Sequence, residues 1–65
     1  MNARILIVDD EPLARERLRA LLAEIGAGEV VGEAASGLEA LALVEHARPD
    51  VVLLILDATN LRRNL

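Results

Sequence analysis

The chain has no cysteine, no aromatic residue and no lysine, and each absence excludes a class of structure or chemistry. Without cysteine there is neither a disulfide nor a cysteine-based zinc site, and a single histidine, His46, excludes a histidine-rich metal site. Without aromatic side chains, the core must consist of leucine, isoleucine, valine and alanine. Sixty-five residues allow one small domain, which buries only about 60% of the surface of its unfolded form. Oligomerisation therefore remains as a source of added stability.

The charge and hydropathy patterns exclude two kinds of partner. A formal net charge of -4 argues against a nucleic-acid surface, where a basic patch is expected. No apolar run approaches the roughly 20 residues of a membrane helix, and the apolar stretch near the N-terminus is too short for a secretory signal. We therefore expect a soluble, cytoplasmic protein. Arg62 and Arg63 are interpreted as solvated charges on the C-terminal tail.

Hydrophobic periodicity predicts five elements in the order strand, helix, strand, helix, strand. Residues 4–8 and 51–56 are apolar runs typical of buried strands, whereas residues 28–35 form a weaker strand with polar positions. Helices are predicted over residues 12–25 and 37–47.

Each predicted helix has a recognisable end and an apolar face. The first should end at Gly26. The second should begin at a capping box, in which Ser36 and Glu39 satisfy two free helix N–H groups. His46 then complements the dipole in its last turn. The predicted face of the first helix is Ala14, Leu18, Leu21, Leu22 and Ile25. The predicted stripe of the second is Leu38, Leu41, Ala42 and Glu45, widened by Ala40, Leu43, Val44 and Ala47.

Alternating strands and helices indicate an α/β fold with a parallel sheet. Right-handed crossovers permit the strand order 1-2-3 or 2-1-3. Because the first and third strands are apolar on both sides and the second is polar, we predict the order 2-1-3. The third strand is then an apolar edge, and the simplest neighbour for it is the same strand of a second copy, in a homodimer.

Three acidic residues, Asp9, Asp10 and Glu11, follow the first strand. The carboxyl end of a parallel strand is where α/β sheets place their ligand sites, and adjacent carboxylates outline a Mg²⁺ site. Acids before a helix also simply complement its dipole, and the cluster taken alone favours that second interpretation. No glycine loop follows the strand, so a dinucleotide site is not indicated.

Three segments in order, "ILIVDDEPLARERL", "VVGEAASGLEAL" and "RPDVVLL", resemble the first half of the receiver domain of two-component response regulators, most closely receivers attached to LytTR-type DNA-binding domains. The resemblance covers residues 3–54. It implies half of a flavodoxin-like sheet of order 2-1-3-4-5, and phosphotransfer from a histidine kinase to an aspartate after strand 3, with Mg²⁺. Asp9 and Asp10 match the family's acidic pair, and Asp10 is the more direct metal ligand by that match.

The resemblance also shows departures at the phosphate acceptor. The family's third strand typically reads "PDVVLLD", whereas this chain reads "PDVVLLIL", so Ile55 takes the acceptor's place. Asp57, two residues later, is a weak candidate acceptor; the other interpretation is a turn or helix-cap residue. The family's later hydroxyl and lysine residues, which position and neutralise the phosphoryl group, have no counterpart, and Thr59 is not assigned the hydroxyl role.

The sequence thus predicts a truncated receiver-like half domain over residues 1–56 and a non-family tail over residues 57–65. We expect a non-enzymatic fragment that self-associates through its third strand, requires no cofactor and binds Mg²⁺ at most weakly. A histidine kinase is a partner only if the parent activity survives. The alternatives are a Mg²⁺-dependent phospho-receiver that uses Asp57, and a fragment completed by the other half of a receiver. Truncation, a shifted reading frame and deliberate engineering all fit such an end.

Overall fold

The structure, a computed structural model, describes residues 2–54; residue 1 and residues 55–65 lie outside the description. The elements are β1 (Ala3–Val8), α1 (Pro12–Ile25), β2 (Gly28–Ala34), α2 (Gly37–Ala47) and β3 (Val51–Leu54). The predicted order of elements is confirmed, and their bounds agree to within one residue wherever the chain is described. The last two residues predicted for the third strand lie outside that part.

The three strands form one parallel sheet in the order β2-β1-β3, as predicted. At the carboxyl end of central β1, Val8 pairs with Ala34 of β2 on one side and with Leu54 of β3 on the other. The register against β2 shifts between Ile5 and Leu6. This arrangement is half of a flavodoxin-like α/β fold.

Side chains of β1 alternate between two small cores, one on each face of the sheet. Ile5 and Ile7 form one core with Leu22 of α1. On the other face, Leu6 and Val8 form the second with Ala34, and α2 packs against it. Because successive strand residues point to opposite faces, the two helices cover opposite faces. The strand order 2-1-3 produces this placement when both crossovers are right-handed.

Both helices have the predicted caps, with one difference in the capping box. Gly26 ends α1 in the left-handed conformation, with φ 67°. At the start of α2, the Ser36 hydroxyl accepts a hydrogen bond from the Glu39 N–H at 3.2 Å. The Glu39 carboxylate, however, accepts from the N–H of Ala35, which precedes the cap. The second N–H group satisfied is therefore that of the residue before the cap, and not a helix N–H as predicted.

The predicted apolar stripe of α2 is wrong. Of the four residues predicted to widen the stripe, three turn toward the sheet and are half-buried, namely Ala40, Leu43 and Ala47, while Val44 is exposed. The predicted stripe faces outward: Leu38, Leu41, Ala42 and Glu45. The reason lies in β2, where a Cβ at Gly32 would lie 3.2 Å from Leu6 Cδ1 and 3.7 Å from Leu43 Cδ1. The missing side chain at Gly32 leaves room for Leu43, and the side of the helix with Leu43 and two alanines packs there.

The predicted apolar face of α1 is only partly buried. Leu22 is buried in the core, but Leu21 and Ile25 are 51% and 64% exposed. Arg19, on the other flank of the helix, bonds to Glu33 of β2. Since side chains advance by about 100° per residue around a helix, Leu21 and Ile25 lie on the flank away from β2, which is the side of β3.

The strand β3 carries apolar residues that nothing in the described part of the chain covers fully. Val51, Val52 and Leu54 are 41%, 48% and 62% exposed, and Leu53 is half-buried against the core of Ile5, Ile7 and Leu22. Both helices pack on β1 and β2. Within residues 2–54, β3 is therefore an edge strand with one neighbouring strand and apolar side chains on both of its faces.

Candidate functional site

The acidic residues predicted to bind a metal lie at the carboxyl edge of the sheet, between β1 and α1. Asp9 directly follows buried β1 and is itself buried, whereas Asp10 and Glu11 are exposed. Glu11 is the N-cap of α1 without a side-chain hydrogen bond to the helix, and Pro12 is the first helical residue. The position is the one where parallel α/β sheets bind ligands, and the positive end of the α1 dipole adds attraction for anions.

Asp9 is held at three points by its surroundings. Its N–H donates to the carbonyl oxygen of Ala34 at 3.0 Å. Its Oδ1 accepts the N–H of Glu11 at 2.9 Å, and its own carbonyl oxygen accepts from the guanidinium of Arg15. No fully buried side-chain oxygen in the described part lacks a partner. The second carboxylate oxygen of Asp9, which has no hydrogen-bond partner among the described residues, is therefore accessible to solvent.

Arg15 connects this acidic turn to strand β2, and Arg19 binds the same glutamate of β2. Arg15 Nε donates to Glu33 Oε1 at 3.2 Å, while Nη1 of the same guanidinium reaches the carbonyl of Asp9. Arg19 Nε donates to Glu33 Oε2 at 2.8 Å. The side chains of Arg15 and Glu33 are 17% and 29% exposed, whereas that of Arg19 is 54% exposed. Arg15 is thus the inner member, fixed between β2 and the acidic turn.

The other side of the site is the end of β3. Val8, the residue before Asp9, pairs with Leu54, the residue before Ile55. The first residue after β3 is thus an isoleucine, whose side chain offers no oxygen to a metal or a phosphoryl group. Ile55 lies outside the described residues. The same holds for Asp57, the weak candidate acceptor, and for three tail residues to which no functional role was assigned: Thr59, Arg62 and Arg63.

The acidic turn has oxygen donors that suit Mg²⁺, but too few of them to hold the ion tightly. Residues 2–54 contain no cluster of three or more metal-ligating side chains. Mg²⁺ keeps several waters and commonly uses one or two carboxylates, so oxygen donors from Asp9 and Asp10 match its preference. One oxygen of Asp9 is already bonded to Glu11 N–H, which leaves a sparse set of protein ligands.

The remaining predictions concern single residues and the membrane. His46 lies exposed in the last turn of α2, where it was predicted. None of the helices that the structure describes is long and apolar enough to span a bilayer. Over the same residues, the surface forms no pocket. Any ligand at the acidic turn would therefore bind on an open edge.

Sequence reasoning placed the acids but missed Arg15 and Glu33. A signal was present, since Arg15 and Arg19 are four residues apart and so lie on one flank of α1. Their partner is 18 residues from Arg15 along the chain. Only the crossover that lays β2 beside β1 brings Glu33 under that flank.

The described residues thus form half of a flavodoxin-like sheet with an acidic pair after its first strand. Comparison with known families agrees: residues 5–59 match the response regulator receiver domain. The match covers most of the chain, and the chain belongs to this family.

The chain is similar to several curated regulatory proteins of bacteria. The chain is 55% identical over 51 residues to the transcriptional regulatory protein BtsR of Salmonella typhimurium, and 51% identical over 51 residues to that of Escherichia coli K12. Each alignment covers 78% of this chain and 21% of the relative. The positive alginate biosynthesis regulatory protein of Pseudomonas aeruginosa is 53% identical over 51 residues, with 77% and 21% covered. The chain thus spans about a fifth of the length of these relatives.

Proposed function

We propose that this chain, as a 65-residue polypeptide, is a half-receiver that self-associates through β3 and does not by itself complete phosphotransfer. Residues 1–56 supply the receiver half, and the family match runs on to residue 59, into the C-terminal tail of residues 57–65. The observation that carries the proposal is that, within residues 2–54, β3 is an edge strand with Val51, Val52 and Leu54 exposed beside an open row of main-chain groups. Such an edge is a template for strand pairing.

A two-fold axis normal to the sheet would allow β3 to pair with its copy. The axis would place the two β3 strands antiparallel and join two three-stranded sheets into one of six strands. A two-fold interface uses the same patch on both subunits, and here that patch includes apolar residues on both faces of β3. Leu21 and Ile25, exposed on the β3 side of α1, extend the patch on one face.

The phosphotransfer apparatus is incomplete on this proposal. Catalysis of phosphoryl transfer depends on positioning and on neutralising charge. The chain supplies the acidic pair Asp9 and Asp10 as a weak Mg²⁺ site, but Ile55 follows β3 and the sequence has no lysine. The receiver half therefore acts as a folding and assembly unit rather than an enzyme, in the cytoplasm, and a histidine kinase becomes a partner only if an acceptor is present.

A second candidate function is a Mg²⁺-dependent phospho-receiver with Asp57 as the acceptor. The family match extends to residue 59 and so includes Asp57. Incubation with Mg²⁺ and acetyl phosphate, followed by intact-mass measurement, separates the two functions. We expect no phosphoryl adduct. An adduct that disappears in Asp57→Asn, but persists in Asp50→Asn, would establish the second function in place of the first.

Self-association is tested by light scattering across a dilution series. We expect the unsubstituted chain to have the mass of a dimer. Val52→Lys should have the mass of a monomer, because a charge on an edge strand blocks strand pairing. The matched control is Leu38→Lys, since Leu38 is 81% exposed on the outer face of α2. This control should remain dimeric. A folded monomer for the unsubstituted chain, or equal dissociation of the two variants, would contradict pairing through β3.

A further inference from the structure

We propose that Arg15, held in place by Glu33, is a positioning residue for divalent-cation binding by Asp9 and Asp10. This inference rests on the proposed weak Mg²⁺ site and adds to it the residues that set its affinity. Neither Arg15 nor Glu33 is a ligand, and each acts through the main chain of the acidic turn.

The first step is the contact between Arg15 and the peptide group that joins the two acids. The carbonyl oxygen of Asp9, which belongs to that peptide, accepts a hydrogen bond from Arg15 Nη1. Rotation of this peptide would redirect the side chain of Asp10, because the peptide plane fixes the direction in which the next residue leaves. The bond therefore holds the two carboxylates in one relative orientation.

The second step is the anchoring of Arg15 itself. Its Nε donates to Glu33 Oε1 at 3.2 Å, so a single planar guanidinium bridges β2 and the acidic turn. The fork geometry of arginine allows two such bonds at once, which the single ammonium of a lysine does not reproduce. Arg19 binds the other oxygen of Glu33 at 2.8 Å.

The third step concerns the charge of Arg15. Its positioning role and its charge predict opposite effects on cation affinity when the residue is removed. A guanidinium near two carboxylates repels a divalent cation. If Arg15 acted only as a charge, its removal would tighten cation binding. As a positioning residue, its removal weakens binding. Outer-shell partners of metal ligands typically contribute 10- to 100-fold in affinity, and we expect about tenfold here.

Matched variants separate the two effects. Arg15→Gln and Arg17→Gln remove the same charge from α1, but Arg17 is exposed and forms no hydrogen bond or ion pair within the described residues. On β2, Glu33→Gln and Glu29→Gln form the corresponding pair, with Glu29 exposed. The readout is the Mg²⁺ dissociation constant of the full chain from amide chemical-shift changes of Asp9 and Asp10. The same spectra confirm that each variant is folded.

We expect Arg15→Gln and Glu33→Gln each to weaken Mg²⁺ binding about tenfold, with no comparable loss in the two controls. Because Glu33 acts through Arg15, the double variant should be no weaker than Arg15→Gln alone. Arg15→Lys keeps the charge, but this variant should still bind Mg²⁺ more weakly than the unsubstituted chain does. If Arg15→Gln matches Arg17→Gln, the positioning role is refuted while the cation site stands. If the unsubstituted chain shows no Mg²⁺-dependent shifts, both the site and the positioning role are refuted.

Discussion

Arg4 and Asp50 form a reciprocal pair of hydrogen bonds at the point where β3 begins. The N–H of Asp50 donates to the carbonyl oxygen of Arg4 at 2.7 Å, and the N–H of Arg4 donates to the Asp50 carboxylate at 2.9 Å. The guanidinium of Arg4 also donates to the carbonyl oxygen of Ala47 at 2.6 Å. The beginning of β3 is thus fastened both to β1 and, through Arg4, to the last residue of α2.

Replacing Asp50 with alanine should loosen this fastening. The N–H of Arg4 loses its carboxylate partner, while the main-chain bond from Asp50 N–H remains available. Because the pair is exposed, water replaces the lost acceptor, and we expect a loss of about 1 kcal/mol in the free energy of unfolding. Urea unfolding measures it. Asp50→Asn keeps an oxygen acceptor and should lose less. An unchanged free energy of unfolding in Asp50→Ala would show that the carboxylate bond contributes nothing.

At Arg48 we predict a substitution that raises stability. Arg48 is the C-cap of α2 and has φ 48° and ψ 62°, a left-handed conformation that costs an L-residue with a side chain roughly 1–2 kcal/mol. Glycine adopts it without that cost. Glycine also gains entropy in the unfolded chain, which offsets part of this benefit. We therefore expect Arg48→Gly to raise the free energy of unfolding by at most about 1 kcal/mol. Thermal unfolding followed by circular dichroism measures this change.

The control for Arg48→Gly is Arg48→Ala. Alanine removes the same charged side chain but keeps the Cβ atom, so it retains the backbone cost. Its stability should stay near that of the unsubstituted chain. An equal gain in both variants would mean that the arginine side chain, and not the backbone conformation, is the source of instability.

The fold followed from the sequence where local pattern and global packing agree. The uninterrupted apolar runs before Asp9 and after Asp50 predicted the strands, and Gly26 and Ser36 predicted helix ends that the structure confirms. The polar content of the second strand predicted its edge position, and hence the order 2-1-3. These signals act within a few residues and need no knowledge of distant neighbours.

The faces of the helices did not follow from the sequence in the same way. In α2, most positions are leucine, valine or alanine, so periodicity offers several stripes of similar hydrophobicity. The choice depended on Gly32 of β2, whose lack of a side chain lets Leu43 approach Leu6. The contact of Arg15 with Glu33 likewise depended on the crossover. Both are tertiary effects, which a reading of local spacing does not contain.

Leu21 and Leu22 test the partial burial of α1 with identical chemistry. Leu22 is buried in the core with Ile5 and Ile7, and Leu21, one residue earlier, is 51% exposed. Leu22→Ala should lower the free energy of unfolding by about 2–4 kcal/mol, since it leaves a cavity. Leu21→Ala should cost less than about 1 kcal/mol in the isolated chain. Urea unfolding of both variants at low protein concentration makes the comparison.

Protein concentration adds a second use for Leu21→Ala. If two copies pair through β3, Leu21 lies beside the interface, and the variant should lose more stability at high concentration than at low concentration. Leu22→Ala should show no such difference beyond that of the unsubstituted chain. A loss in Leu21→Ala as large as that in Leu22→Ala at low concentration would contradict the exposure of Leu21.

Gly28 and Gly37 form the last matched pair, because glycine is required at one position and not at the other. Gly28 begins β2 opposite Ala3, and a Cβ built there would lie 2.5 Å from the carbonyl oxygen of Ala3. Its φ of 156° adds to the strain of any side chain. A main-chain oxygen cannot move without disturbing the pairing of β1 with β2. We expect Gly28→Ala to lower the free energy of unfolding by roughly 1–3 kcal/mol.

The control is Gly37, which begins α2 with no atom within 4 Å of the corresponding Cβ. Gly37→Ala should therefore stabilise the helix by up to about 1 kcal/mol. If β1 and β2 approach as closely as described, urea unfolding should show a loss of stability in Gly28→Ala and a gain in Gly37→Ala. An unchanged stability in Gly28→Ala would mean that the strands begin their pairing further along the chain.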